Sequence, residues 1–196
     1  MSFQLETLPD GRGCRAHCPQ VIAAEGEISD RTPQEFLDFL RSNVSGGDLR
    51  VIVFLNSQGG YVVAAMELGQ IFRRIGAATV VARIAPQDGR ARFLTASCLS
   101  ACVYAFMGGR KRVVPPRSAI GIHRMFANQV RTDSSGDEII QKRYDDGSMA
   151  AMLMKYSMRM GISRDLIRSA EHISSDSIHL ITSQEMARWN LARRVF

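Results

Sequence analysis

The sequence predicts a single α/β domain with mostly parallel strand pairing. Apolar, β-branched runs alternate with helix-period segments along the whole chain, the pattern of strands joined by crossover helices. The run at residues 51–55 is continuously apolar, as expected of a strand buried on both faces. Scale agrees: 196 residues, 45% hydrophobic and 22% charged, suit one core with at most a short appendage. That composition excludes disordered, collagen-like and disulfide-scaffold classes. No apolar run approaches the roughly 20 residues of a membrane span.

Taken in order, residues 1–20 carry Pro9, Gly11, Gly13 and Pro19 and read as an irregular N-terminal segment, leaving 21–196 as the domain. Residues 21–28 form a first strand. Thr32-Pro33-Gln34-Glu35 reads as a capping box with proline in the first turn, opening an amphipathic helix to about Ser42. The strand at 51–55 ends in Asn56-Ser57-Gln58-Gly59-Gly60, a turn with two residues free to take positive φ. A helix follows over 63–75 and stops at Gly76. Residues 79–84 are a strand, 86–92 a polar loop, and 95–107 a helix of small residues closed by Gly108-Gly109. Short strands come at Val113-Val114 and 119–122, and a polar loop at 131–136. Residues 139–160 have helical composition and hold five of the ten methionines, reading as an adaptable interface or an ordinary half-buried helix. Short helices at 163–170 and 183–189 complete the chain.

The net charge of +6 comes from 25 basic and 19 acidic residues, and its densest cluster is Arg110-Lys111-Arg112. No aromatic or motif companion surrounds that cluster, so it reads as a solvated face and no nucleic-acid partner is expected. The four cysteines form two i, i+4 pairs, Cys14/Cys18 and Cys98/Cys102. Disulfides or free thiols both fit. Zinc does not, because the C-x2-C spacing and a second ligand cluster are missing; no metal or other cofactor is expected. The first residues lack a basic stretch followed by an apolar run, so no signal peptide is expected in this chain. The compartment, cytoplasmic or exported, stays open.

Three features point to chemistry. Gly59-Gly60 after a buried strand offers backbone N–H groups to a developing oxyanion. Ser100, within Ser97-Cys98-Leu99-Ser100-Ala101-Cys102, stands at the start of the small-residue helix, where its hydroxyl and the Ala101 N–H share a helix N-terminus. Cys98 or Cys102 is the rival nucleophile. His123 ends the apolar strand at 119–122 and is a candidate general base. Each feature alone has an ordinary structural explanation: a turn, a packed serine, a hydrogen-bonded histidine.

In combination they resemble one family. Leu55-Asn56-Ser57-Gln58-Gly59-Gly60, the small-residue segment with Ser100, the Gly-Gly/basic stretch and Ile122-His123-Arg124 resemble the proteolytic subunit of the Clp protease and its Clp-like serine protease relatives. These belong to the Clp/crotonase superfamily, and the similarity runs from about Gly26 to Leu191. Cys98-Leu99-Ser100-Ala101-Cys102 is similar to the Cys-x-Ser-Ala-Cys signature of an exported bacterial subgroup. The resemblance implies a spiral of repeated β-β-α units with a protruding helix near 137–160. It also implies a serine peptidase acting through an acyl-enzyme, with Ser100 as nucleophile, His123 as base and Gly60 and Ala101 N–H groups as oxyanion hole. Asp176 is the implied third member of a triad, matched with an offset of about two residues. A peptide or protein substrate and a homo-oligomer are the implied partners. Residues 1–20 do not match the loops that dock an unfoldase, so no ATPase partner is carried over. Two other readings share the fold: a non-catalytic binding or assembly module, and a crotonase-type acyl-CoA enzyme.

Overall fold

A computed structural model describes residues 1–7, 20–44, 51–87, 90–132 and 135–192. Cys14 and Cys18 lie outside the described residues. The chain opens with strand β1 (Ser2–Thr7), where sequence expects an irregular segment, and β1 pairs antiparallel with strand β2 (Gln20–Glu25), which falls on the first strand expected at 21–28. Helix α1 (Thr32–Asn43), strand β3 (Ile52–Asn56), helix α2 (Val62–Arg74) and strand β4 (Ala78–Val80) follow. β2, β3, β4 and a later strand β8 (Lys111–Val113) are parallel neighbours, so the main sheet runs β1-β2-β3-β4-β8.

β3 is the strand whose apolar run sequence reads as doubly buried, and both faces are indeed covered. Val53 and Leu55 point into the main core, while Phe54 packs with Val21 and Ala82 in a small cluster behind the sheet. That second cluster exists because the chain turns at Val81 into a hairpin, β5 (Ala82–Gln87) and β6 (Arg90–Thr95), which replaces the polar loop expected at 86–92.

The expected capping box at Thr32 is absent. Thr32 is fully buried and its hydroxyl accepts from the N–H of Ser29, at 2.9 Å, so the side chain braces the preceding turn. Arg31 stands at the N-cap without a side-chain bond. A true capping box occurs at Thr182 and Glu185, opening the last helix, α6 (Ser183–Arg188).

The expected helix over 95–107 is a strand followed by a helix. β7 (Ser97–Leu99) leads through Ser100 and Ala101 into α3 (Cys102–Met107), whose residues are all buried. β7 pairs in parallel with β9 (Ala119–Ile122), and β9 pairs antiparallel with β12 (His179–Leu180), making a second sheet. One isolated bridge, Ser57 to Cys98, joins the two sheets: Ser57 N–H donates to the Ser97 carbonyl and Leu99 N–H to the Ser57 carbonyl.

Strands β10 (Phe126–Thr132) and β11 (Glu138–Tyr144) pair as a long antiparallel ribbon, where a loop and the first part of a helix are expected. The helix proper, α4 (Ser148–Arg159), starts after Asp145 caps its first turn, accepting from the N–H groups of Gly147 and Ala150. Leu153 and Tyr156 are buried, whereas Met152 and Met158 face solvent, so α4 is half-buried. α5 (Asp165–Glu171) then leads to a turn over 174–177. Below the sheet, Arg112 donates to the carbonyls of Leu191, Asn190 and Gly109, and Arg73 to those of Met107 and Met160. These cations sit at the carbonyl ends of α3, α4 and α6, where the helix dipoles are negative. Burial and the neighbouring Arg73 charge pull the Arg112 guanidinium down to about 10.

Candidate active site

Two parallel neighbours, β7 and β9, bring Ser100 and His123 together because each residue lies one position beyond its strand. Leu99 is in register with Gly121, and the Ser100 N–H donates to the Gly121 carbonyl at 2.9 Å. The Ser100 hydroxyl then lies 2.7 Å from His123 Nε2. His123 is buried, at 7% exposure, between this serine and the ring of Phe126, 6.1 Å away between centroids.

Ser100 sits at φ +53°, the left-handed region that side chains avoid at a cost of about 1 kcal/mol or more. It therefore occupies an elbow between strand and helix, not the helix itself. Such an elbow turns the hydroxyl out of the chain's path, where a substrate can meet it. A disulfide joins Cys98 to Cys102 across the elbow, with both residues fully buried. The bond holds the two ends of the five-residue turn together and takes both thiols out of contention as nucleophiles.

The Asn56–Gly60 turn approaches the elbow from the adjacent strand. Asn56 Oδ1 accepts from the Ser97 N–H, and the buried Ser57 hydroxyl accepts from the Gly59 N–H at 3.1 Å. Gly59 has φ +112°, and a Cβ there would stand 2.8 Å from the Ser100 Cβ. Gly60 has φ +131°, and a Cβ there would run into the Ile28 carbonyl. Only glycine fits either position, so the turn lies directly against the elbow with bare backbone. Among the described residues, neither the Gly60 N–H nor the Ala101 N–H donates a hydrogen bond, leaving both available. An open groove of ≈ 370 Å³ runs along this turn past Gly26, Glu27 and Gln58.

The third member differs from expectation. Asp176 is exposed and is ion-paired with Lys142 of β11, which pulls its carboxyl below the usual range. The Nδ1 of His123 instead meets the backbone carbonyl of Arg124 at 2.8 Å. A carbonyl only accepts, so Nδ1 carries the proton and Nε2 presents its lone pair to Ser100. The expected aspartate–histidine contact is replaced by a main-chain one. Sequence could not have found it, since a carbonyl has no residue signature. Two other polar residues nearby are engaged elsewhere: Glu171 pairs with Arg124, and His179 with Glu185. No metal-binding cluster of His, Cys, Asp or Glu occurs among the described residues, and no helix there is long and apolar enough to cross a membrane.

A mixed sheet spiral with a serine elbow, a neighbouring glycine turn and a histidine on the adjoining strand is the Clp protease-like fold. Solved structures with this fold include ClpP1 from Listeria monocytogenes, 16% identical over 90% of both chains with a TM-score of 0.60. The ClpP protease catalytic domain from Plasmodium falciparum is 16% identical, covering 90% of this chain and 83% of its own, with a TM-score of 0.57. A serine-to-alanine mutant of the 1510-N membrane-bound stomatin-specific protease is likewise 16% identical, covering 89% of this chain and 77% of its own, with a TM-score of 0.58. No family model matches the chain, and no curated protein matches it by sequence.

Proposed function

We propose that this chain is a Clp-like serine peptidase that works through an acyl-enzyme. The observation that carries the reading is the 2.7 Å contact between the Ser100 hydroxyl and His123 Nε2, with Nδ1 set against the Arg124 carbonyl. Ser100 Oγ attacks the carbonyl carbon of a peptide bond while its proton passes to Nε2. The oxyanion so formed is met by the N–H groups of Gly60 and Ala101. Collapse breaks the C–N bond, and the leaving amine takes the proton from Nε2. Water then attacks the ester with His123 as base, releasing the acid and restoring Ser100. The peptidase fold of the neighbours supports a peptide substrate, and no step calls for a metal or cofactor.

A fluorophosphonate probe tests the assignment. The wild-type protein is expected to be labelled once, at Ser100, and Ser100→Ala not at all. Equal labelling of both would overturn it. An unlabelled wild type would favour the binding-module reading, and tight binding of acyl-CoA esters would favour the crotonase-type one.

A further inference from the structure

Taking the Ser100–His123 reading as its basis, we infer that Arg124 is a positioning residue whose anchored main-chain carbonyl does the work of the missing triad carboxylate. A carbonyl can replace a carboxylate as the orienter of histidine only if its direction is fixed, because peptide planes otherwise rotate. Arg124 is fixed at three points. Its N–H donates to the Ile173 carbonyl at 3.0 Å. Its guanidinium lies 4.6 Å above the ring of Tyr144. Its Nε, buried and without a hydrogen bond among the described residues, faces the Glu171 carboxylate at 3.5 Å. Tyr144 is held in turn, its hydroxyl 2.9 Å from that of Ser175. The residue after the carbonyl, Met125, is buried.

The clamp thus joins three parts of the chain around one carbonyl: the end of β11 through Tyr144, the end of α5 through Glu171, and Ile173 beyond it. The ion pair neutralises the arginine without placing any charge on the imidazole. A carbonyl orients His123 and selects its tautomer, yet offers the imidazolium formed during attack only a dipole where an aspartate offers a full charge. This arrangement suits an enzyme of modest turnover with a firmly set resting state.

The test reads the tautomer directly and the chemistry separately. In protein labelled with ¹⁵N-histidine, the His123 signals, assigned by their loss in His123→Gln, are recorded at about pH 8, where an ordinary histidine is neutral. The wild type is expected to show Nδ1 protonated. Arg124→Ala and Glu171→Gln are expected to admit the Nε2–H tautomer and to slow fluorophosphonate labelling about 10–100-fold, the size of effect typical of a partner one step removed from the reacting groups. Arg124→Lys, which restores a cation opposite Glu171, should recover part of both. An Nε2–H wild type would overturn the inference, as would folded Arg124→Ala and Glu171→Gln proteins with wild-type tautomer and labelling. Should Arg124→Ala fail to fold, Glu171→Gln decides alone. Failure of the peptidase reading shows differently, as an unlabelled wild type, while the tautomer remains readable without turnover.

Discussion

Asp176 carries the clearest prediction at the level of single residues. It is the carboxylate nearest in sequence to the place a triad acid would occupy, yet its charge is spent on Lys142. Asp176→Asn is therefore expected to keep fluorophosphonate labelling within about tenfold of wild type, against the roughly 10⁴-fold loss that follows removal of a triad aspartate. A loss of that larger size would place Asp176 on His123 after all. The reason sequence misleads here is physical. Ser100, His123 and Gly60 are recognisable because their side chains, or the lack of one, define their chemistry. The partner of Asp176 lies 34 residues away on a hairpin, and the partner of His123 is a peptide carbonyl. Neither leaves a mark in a residue pattern.

Among the elements, the β10–β11 hairpin is where local pattern and tertiary structure part company. Ile139 and Ile140, followed by the methionines, have the composition of a helix, but the pairing of Val130 with Ile140 and of Phe126 with Tyr144 makes a ribbon. Helix begins only where Asp145 can cap it. The small residues at 95–107 misled similarly, because strand, elbow and helix all need close packing there. By contrast, β3, α1 and α2 were legible, since their apolar periodicity coincides with what the core requires.

The hairpin is fastened to the 174–177 turn by Lys142, which reaches both Asp176 and the Ser175 hydroxyl, 3.2 Å from it, and by Tyr144. The Asp176 carboxyl is held below its unfolded value by Lys142, so this fastening is complete above the ordinary aspartate range and is lost as pH falls through the lower, folded value. Both groups are accessible to solvent, so salt also weakens it. Hydrogen exchange in 126–144 is expected to be unchanged near pH 5 and to quicken, after correction for intrinsic rates, under stronger acid or in Lys142→Met. Exchange indifferent to both would show that the ion pair does not hold the ribbon.

At the scale of the whole molecule, the exposed apolar side chains are unevenly spread. Val130 and Ile140, 58% and 72% exposed, face the same way from paired positions on the hairpin. An exposed apolar pair on a projecting ribbon offers a surface through which copies of the chain can meet. Self-association through this ribbon is the expected state in solution, measurable by light scattering, and Ile140→Lys should shift it toward the monomer. A wild type that is monomeric at all concentrations would refute this.

The disulfide across the elbow gives the molecule a memory. Both sulfurs are sealed inside the core, and thiol–disulfide exchange requires a thiolate to reach one of them. A reductant must therefore wait for the strand–elbow–helix segment to open. The oxidation state the chain had when it folded therefore changes only as fast as that segment opens. Two populations with identical sequence, folded in different surroundings and then mixed, would remain distinguishable at Ser100 for as long as the fold outlasts its own openings.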